Sequence, residues 1–300
     1  MYLYISLGNM KIKTIKTNAN HYTNIAIIVI VLILLYFILH FILYEDIIDA
    51  WNKKSDLKKD GFCIIKNMLT SKEVNYLKML SKKNDYKEVK NYLTHNKKVN
   101  KIIKTKTSNE YEFQDYIFII KRSAIHTCHR DSNGDFFNEE QKYPSYTLLI
   151  FLEEMDKCLG VIPESHKDLH SFDFNTKDEV VNLLCKKGDA ILFNANLLHV
   201  GALNAKDDNL RIQMKVTHKK DIAAIPYYNN YNKILDEDNK WPMYVRKAQR
   251  KLSCMAPFFS KLTQSEIQKT SAGAHPGMFQ KIFSYLFYGN TNFYNLPNAF

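Results

Sequence analysis

A histidine and a carboxylate two residues apart are the residues whose types and spacing most suggest chemistry. The segment 128–131 reads C-H-R-D. In an extended backbone, His129 and Asp131 project to the same side. An imidazole and a carboxylate placed in this way can occupy neighbouring positions on one metal ion. Because so short a pattern also arises by chance, it predicts a metal site only together with further residues.

His199 is the candidate third ligand, and Arg211 is a candidate anion anchor. Two histidines and one carboxylate on one face of an ion leave three positions open, as in non-haem iron(II) sites that bind a 2-oxo acid and dioxygen. A guanidinium pairs with a carboxylate through two hydrogen bonds, which a lysine cannot match. Only five of the 42 basic residues are arginine, so an arginine at the start of a strand-like run is informative.

The elements that must position these residues read mostly as short strands. Strand-like runs rich in Ile, Phe and Tyr occupy 116–121, 146–153, 190–193 and 211–218, and turn-forming residues lie at 132–135, 186–189 and 204–209. This spacing predicts a jelly roll or barrel rather than a doubly wound sheet.

The segment before these strands is predicted to add one strand and a helix. GFCIIK at 61–66 is a β-type run, and Thr70 and Glu73 then have capping-box spacing. The basic run KKVNKIIKTK at 97–106 is predicted to be a solvated loop, with attraction to anionic lipid headgroups as the alternative. Because it carries no aromatic residue, it does not match a nucleic-acid-binding surface.

Four blocks, in this order, give the chain a resemblance to the phytanoyl-CoA dioxygenase family of iron(II)- and 2-oxoglutarate-dependent oxygenases. They are DGFCIIKNMLTSKEV at 60–74, IKRSAIHTCHRD at 120–131, LGVIPESHKDL at 159–169 and KKGDAILFNANLLHVGALNAKDDNLR at 186–211. The resemblance implies a mainly β fold with flanking helices, a double-stranded β-helix (jelly roll). It also implies Fe(2+), 2-oxoglutarate as co-substrate and O2 as cofactors.

The resemblance assigns roles residue by residue and implies no catalytic residue beyond the metal ligands. The iron ligands would be His129, Asp131 and His199, and the co-substrate contacts would be Arg211, Lys121 and Asn204.

Departures from the family pattern bear on the substrate pocket. Glu164 replaces the glycine of the family's P-G-S-H block, so a turn with positive φ there would be strained. Asp156 and Lys157 replace a usual Asn-Gly, and Cys128 and Arg130 replace the residues that usually flank the first ligand. The namesake's substrate is therefore not carried over.

Three other histidines are predicted to be structural. His166 is expected in a turn or behind the site rather than on substrate. His126 lies an odd number of residues from His129, so it faces away in an extended strand. His218 ends a strand-like run.

An apolar segment at 25–44 predicts one uncleaved transmembrane anchor. It reads IAIIVIVLILLYFILHFILY without a formal charge, and about twenty helical residues span a hydrocarbon core of roughly 30 Å. The lysines at its two ends nearly balance. No N-x-[ST] sequon occurs and the five cysteines form no C-x-x-C pair, which favours a cytosolic catalytic domain on a single-pass membrane protein.

The predicted organisation follows from these boundaries. It comprises an N-terminal tail (1–24), the anchor (25–44), a juxtamembrane linker (45–59), the oxygenase core (60–220) and a helical or irregular extension packing on the core (221–300). Within the extension, residues 278–288 are predicted as an amphipathic stretch that packs on the domain, with dipping into a lipid monolayer as the alternative.

The sequence thus predicts a membrane-anchored dioxygenase that hydroxylates a small molecule, with a lipid or membrane-associated substrate as a hypothesis. The net charge of +11 is mostly lysine and is not interpreted as nucleic-acid binding, and the oligomeric state stays open. The alternatives are a protein or peptide hydroxylase on the same fold, and a degenerate scaffold without activity. The absence of P-loop, G-x-S-x-G and G-x-G-x-x-G motifs argues against common nucleotide-binding and serine-hydrolase classes.

Overall fold

The chain forms two compact units, Met1–Asp46 and Ile47–Phe300. The computed structural model describes residues 22–36, 50–122, 127–138, 140–155, 157–167, 180–201, 208–225, 228–236, 240–257 and 277–291. In the first unit, residues 22–36 form a helix (α1) with exposed side chains. Of the helices that the structure describes, none is long and apolar enough to cross a membrane. The predicted anchor continues through 37–44, which lie outside the described residues, and it stays a prediction.

The second unit contains most of the described elements. Its helices are α2 (Ser71–Lys82), α3 (Tyr86–His95), α4 (Lys97–Lys106), a 3-10 turn (Lys219–Ala224), α5 (Met243–Met255) and α6 (Met278–Tyr288). Its strands are β1 (Phe62–Ile65), β2 (Tyr111–Phe113), β3 (Tyr116–Arg122), β4 (Cys128–His129), β5 (Tyr146–Phe151), β6 (Leu159–Val161), β7 (Val181–Leu183), β8 (Ala190–Asn194), β9 (His199–Gly201), β10 (Asp208–His218) and β11 (Tyr231–Asp236).

The strands form a large and a small sheet. The large sheet has the order β1-β8-β5-β10-β3-β11, with β2 also paired to β10, and the small sheet has the order β4-β9-β6-β7. Except for β11, which lies parallel to β3, every pairing in these two sheets is antiparallel. Side chains of both sheets meet in one buried cluster that includes Phe62, Phe151, Phe193, Val161 and Leu183. Two antiparallel sheets packed on a shared interior agree with the predicted jelly roll.

Three helices cover the outer face of the large sheet. Alternate residues of β10, namely Ile212, Met214 and Val216, pack there with side chains of α2, α3 and α4. The predicted capping box at the start of α2 is present: Glu73 N–H donates to Thr70 Oγ1 and Thr70 N–H donates to Glu73 Oε2. The strands β5, β8 and β10 of the large sheet are therefore buried on both faces.

The prediction of a loop at Lys97–Lys106 is wrong, because this run is helix α4. Asn96 caps it by accepting from Val99 N–H at 3.1 Å. Val99 and Ile103, one turn apart, are buried against the sheet. The five lysines of the helix are exposed, and lysine is a good helix former when its charge faces water.

The C-terminal region adds a strand that was not predicted. β11 joins the edge of the large sheet through β3, so 221–300 is not wholly helical or irregular. α5 is tied to the small sheet because Cys128 N–H donates to Ser253 Oγ. In α6, Phe283 and Phe287 are buried, whereas Phe279, Ile282 and Leu286 are exposed. Fewer of the apolar side chains of α6 are therefore buried than its amphipathic pattern predicts.

Candidate metal centre

The two predicted histidine ligands are direct partners across the small sheet. β4 and β9 pair antiparallel, and His129 lies opposite His199 in the register. Side chains directly opposite on antiparallel strands point to the same face at close range, and the two imidazole centroids are 4.3 Å apart. A pair of histidines far apart in sequence therefore meets because of strand register.

Asp131 completes a three-residue cluster two positions beyond His129. Its N–H donates to the Ala195 carbonyl at 2.8 Å, which docks the end of β4 beside the segment leading into β9. Asp131 Oδ1 lies 3.8 Å from His129 Nε2 and 3.7 Å from His199 Nε2. These residues form the group of potential ligands found among the described residues, with all three ligand atoms within 4.8 Å of one another.

Both imidazoles present the same nitrogen to this point. His129 Nδ1 is 2.8 Å from the Thr127 carbonyl and His199 Nδ1 is 2.9 Å from the Leu197 carbonyl. A carbonyl only accepts, so each Nδ1 carries the proton and each Nε2 has a free lone pair. Burial lowers the pKa of both imidazoles, that of His199 to about 3. Both rings are therefore neutral donors at neutral pH.

Asp131 supplies the negative charge of the cluster. Burial alone would raise the pKa of its carboxyl group, but the charge of Lys215, joined at low pH by the protonated imidazoles of His199 and His129, outweighs it and holds the pKa well below the usual range. Two ligands bound about 2.1 Å from one ion at right angles are about 3 Å apart. The separations of Asp131 Oδ1 from the two Nε2 atoms, 3.8 and 3.7 Å, would thus each shorten by less than about 1 Å around an ion. Two neutral imidazoles with one carboxylate fit iron(II), in agreement with the cofactor prediction.

Arg211 lies on the interior side of β10, the side opposite Ile212 and Met214. Its guanidinium is buried, and Nη1 donates to the Asn209 carbonyl at 3.2 Å and to Asn209 Oδ1. No carboxylate of the described residues forms an ion pair with it, and burial lowers its pKa to about 10. A buried cation without an anionic partner is costly. The position suits an anion that enters the interior.

The structure does not bring Lys121 to this cluster. Lys121 Nζ donates to the Lys82 carbonyl at 3.3 Å and lies 3.8 Å from Asp236 Oδ2. Lys121 follows Ile120, whose side chain is in the interior. The register of β3 against its neighbours is irregular between Ile120 and Arg122. Alternation therefore directs Lys121 to the helix-covered face. Asn204 and His126 lie outside the described residues.

Two interior residues contact the cluster and were not predicted. Lys215 Nζ donates to Asp131 Oδ2 at 2.7 Å and to Thr147 Oγ1 at 2.9 Å. Thr147 Oγ1 in turn donates to Asp131 Oδ2. Lys215 is only 1% exposed. In the sequence QMKVTH, this lysine looks like a residue on the solvent side of an amphipathic strand, and only the burial of both faces reveals otherwise.

Two of the departures from the family pattern, Glu164 and Arg130, lie in the turn after β6 and beside the end of β4. Glu164 adopts φ 67°, so the predicted strained turn is present. Arg130 projects away from the ligands, and its Nη1 donates to the carbonyls of Ser165 and Asn196. His166 lies in the same turn as Glu164, and its Nε2 is 3.2 Å from the Lys58 carbonyl. These contacts hold the backbone around the end of β4.

Fold and site together define a jelly-roll protein with a His–Asp–His cluster of the kind that binds iron(II). The family model of phytanoyl-CoA dioxygenase (PhyH) matches residues 85–211. This match confirms the predicted resemblance over these residues, which contain three of the four sequence blocks, and there the chain is similar to the PhyH family.

Solved structures give similar but distant matches. EvdO2 from Micromonospora carbonacea var. aurantiaca is 14% identical with a TM-score of 0.44, covering 58% of this chain and 94% of that one. The α-ketoglutarate-dependent epimerase SnoN from nogalamycin biosynthesis is 13% identical with a TM-score of 0.44, covering 54% and 80%. HygX from Streptomyces hygroscopicus, with nickel and 2-oxoglutarate bound, is 13% identical with a TM-score of 0.43, covering 54% and 84%. A comparison with curated protein sequences finds no match.

Proposed function

We propose that the chain is an iron(II)- and 2-oxoglutarate-dependent dioxygenase that hydroxylates a small-molecule substrate. The observation that carries the proposal is the convergence of two neutral imidazole Nε2 atoms on the ionised Asp131, with His199 Nε2 3.7 Å from Asp131 Oδ1. A structural salt bridge does not require this arrangement, because both rings are turned by backbone carbonyls so that their lone pairs face the carboxylate.

Each residue of the site has a defined task in this proposal. His129, Asp131 and His199 hold the iron. Arg211 binds the far carboxylate of 2-oxoglutarate, and Asn209 orients the guanidinium by accepting from Nη1. Iron(II) with 2-oxoglutarate and dioxygen supplies the oxidising power to hydroxylate a C–H bond. The ring of Phe193, 4.6 Å from that of His199, helps to keep water away from the ligands.

An anaerobic titration tests the proposal. Purified protein with iron(II) is expected to develop a visible charge-transfer band when 2-oxoglutarate is added, and His199→Ala is expected to abolish it. His218→Ala is the matched control, since His218 packs on Tyr143 and Tyr111 and not on the cluster. If the wild-type protein gave no band, the metal assignment would be wrong. If it gave the band but never formed succinate above the His199→Ala background across many substrates, the scaffold alternative would replace the enzyme.

The proposal extends to a lipid or membrane-associated substrate and to attachment through 25–44. Its support is the uncharged apolar segment itself, followed by a linker of only about fifteen residues. The lack of sequons supports a cytosolic catalytic domain. Expression of the tagged chain followed by alkaline extraction tests the attachment. Retention in the membrane pellet is expected, with release on deletion of 25–44; extraction of the intact chain would exclude a transmembrane anchor.

A further inference from the structure

Lys215 places a buried ammonium group directly behind the carboxylate of the proposed metal centre. Its Nζ reaches Asp131 Oδ2 at 2.7 Å and Thr147 Oγ1 at 2.9 Å. Of the carboxylates that the structure describes, Asp131 is the one paired with it. A single carboxylate oxygen thus receives two donors from two different strands of the large sheet.

An aromatic enclosure fixes the ammonium group in this position. Nζ lies 5.5 Å from the ring centroid of Tyr116 and 5.7 Å from that of Tyr228. The hydroxyl of Tyr228 is hydrogen-bonded to Ser132, the residue after Asp131. Cation–π contacts of this kind strengthen when they are shielded from water. The lysine side chain therefore has little freedom to leave Asp131.

The two oxygens of Asp131 consequently face different partners. Oδ2 accepts from Lys215 and Thr147, whereas Oδ1 is directed to the Nε2 atoms of His129 and His199 at 3.8 and 3.7 Å. Carboxylates in proteins bind metals through either one or both oxygens. Turning Oδ2 to a metal here would break two hydrogen bonds and leave a buried ammonium group unpaired, which is costly.

We propose that Lys215, assisted by Thr147, is a positioning residue that restricts Asp131 to metal binding through Oδ1 alone. The inference rests on the proposed function and adds to it a reason why three positions on the metal stay open. Two of them are needed for the 2-oxo acid and one for dioxygen. If both oxygens of Asp131 bound the metal, the second oxygen would occupy one of these three positions. It would then compete with the co-substrate for that position, without weakening the binding of the metal itself.

Lys215→Met in the full 300-residue chain separates metal binding from co-substrate binding. Anaerobic titration with cobalt(II), followed by its visible absorbance, is expected to show binding at least as tight as in the wild type. Titration of the iron(II)-loaded variant with 2-oxoglutarate, followed by the charge-transfer band, is expected to show at least a tenfold weaker affinity. A merely structural lysine would leave both affinities of the folded protein unchanged, and that result would overturn the inference.

Thr147 provides a milder pair of variants if Lys215→Met does not fold. Thr147→Val removes the hydroxyl with little change in shape and is expected to weaken 2-oxoglutarate binding about threefold with cobalt(II) affinity retained. Thr147→Ser keeps the hydroxyl and is expected to behave as the wild type. Equal 2-oxoglutarate affinities in the valine and serine variants would contradict the inference.

Two controls keep the outcomes distinct. Lys90→Met removes another shielded lysine, one that bonds Asp115 and Asn232 away from the cluster, and both titrations should be unaffected. A wild-type protein that binds neither cobalt(II) nor iron(II) with 2-oxoglutarate would refute the proposed function itself. Normal wild-type binding with an unchanged Lys215→Met would refute only the positioning role.

Discussion

The two faces of β10 differ in character, although alternating residues of one strand form both. On the helix-covered face, Ile212, Met214 and Val216 pack into the apolar layer beneath α2, α3 and α4. On the interior face, Arg211 and Lys215 are buried as cations. Neighbouring residues of one strand thus provide apolar packing on one side and buried positive charge on the other. The helix layer can hold the sheet together while the interior accepts buried charges that an apolar core would exclude.

Arg211→Met should give the largest effect on 2-oxoglutarate binding and addresses the interior face. Removal of the guanidinium is expected to weaken 2-oxoglutarate binding to the iron(II)-loaded protein by about 100-fold, the scale of losing a buried charge-assisted pair. The free energy of unfolding should fall by less than about 1 kcal/mol, because the cation has no carboxylate partner among the described residues. Charge-transfer titration and urea unfolding measure the two quantities.

Arg122→Met is the matched control for Arg211→Met. Arg122 is paired with Asp236 in an exposed ion pair at the end of β3, so 2-oxoglutarate binding should not change. If Arg211→Met weakened 2-oxoglutarate binding only slightly, the interior face of β10 would not have the binding role proposed for it.

Ile212→Ala tests the helix-covered face one residue along the strand. Ile212 is fully buried, and its truncation is expected to cost about 3 kcal/mol of unfolding free energy. The 2-oxoglutarate affinity of the folded protein should stay the same. Urea unfolding and the same titration measure the two quantities. If Ile212→Ala also weakened 2-oxoglutarate binding, the two faces of β10 would not have separate roles.

Glu73 allows the helix layer to be tested by pH. Burial raises the pKa of its carboxyl group, but the backbone N–H and hydroxyl of Thr70, with Asn96 and Tyr92, lower it to about 2. A folded-state pKa below the unfolded value gives stability that is present above about pH 4.5 and is lost as the pH falls towards 2.

Glu73→Gln is therefore expected to cost about 1 kcal/mol at pH 6, with the difference from the wild type shrinking by pH 3. Thermal unfolding across this pH range measures it. Glu110→Gln, at an exposed site 3.9 Å from Lys219, serves as the control and should change nothing. A difference that stayed constant with pH would show that the cap does not depend on the carboxylate charge.

Glu164→Gly is expected to have a small stabilising effect and concerns the turn that follows β6 in the small sheet. The residue has φ 67°, and relief of this conformation is expected to stabilise the protein by about 1 kcal/mol. Glu164→Ala also removes the exposed contact with Lys167 but keeps the Cβ atom, so it should give no gain. Melting temperatures of the two variants decide the point.

The parts of the fold that followed from the sequence were those with a local signal. The capping box at Thr70 and the His–Asp spacing are short patterns, and the strands near the ligands are runs rich in Ile, Phe and Tyr. Lys215 could not be recognised in this way, because a strand buried on both faces hides its interior polar residues in an apparently amphipathic pattern.

Helix α4 and strand β11 were missed for different reasons. In α4, the buried pair Val99 and Ile103 and the cap at Asn96 were visible in the sequence, but the lysines around them dominated the interpretation. β11 is defined by its pairing with β3, which lies more than one hundred residues earlier. The irregular register at Lys121 likewise depends on tertiary pairing and leaves no local signal.

The direct pairing of His129 with His199 has a consequence for folding. An ion bound by both would cross-link two positions 70 residues apart (199 − 129) in strands of only two and three residues. An ion that binds the folded chain and not the unfolded chain stabilises the folded state by mass action. Iron supply would then act on the assembly of the small sheet as well as on turnover.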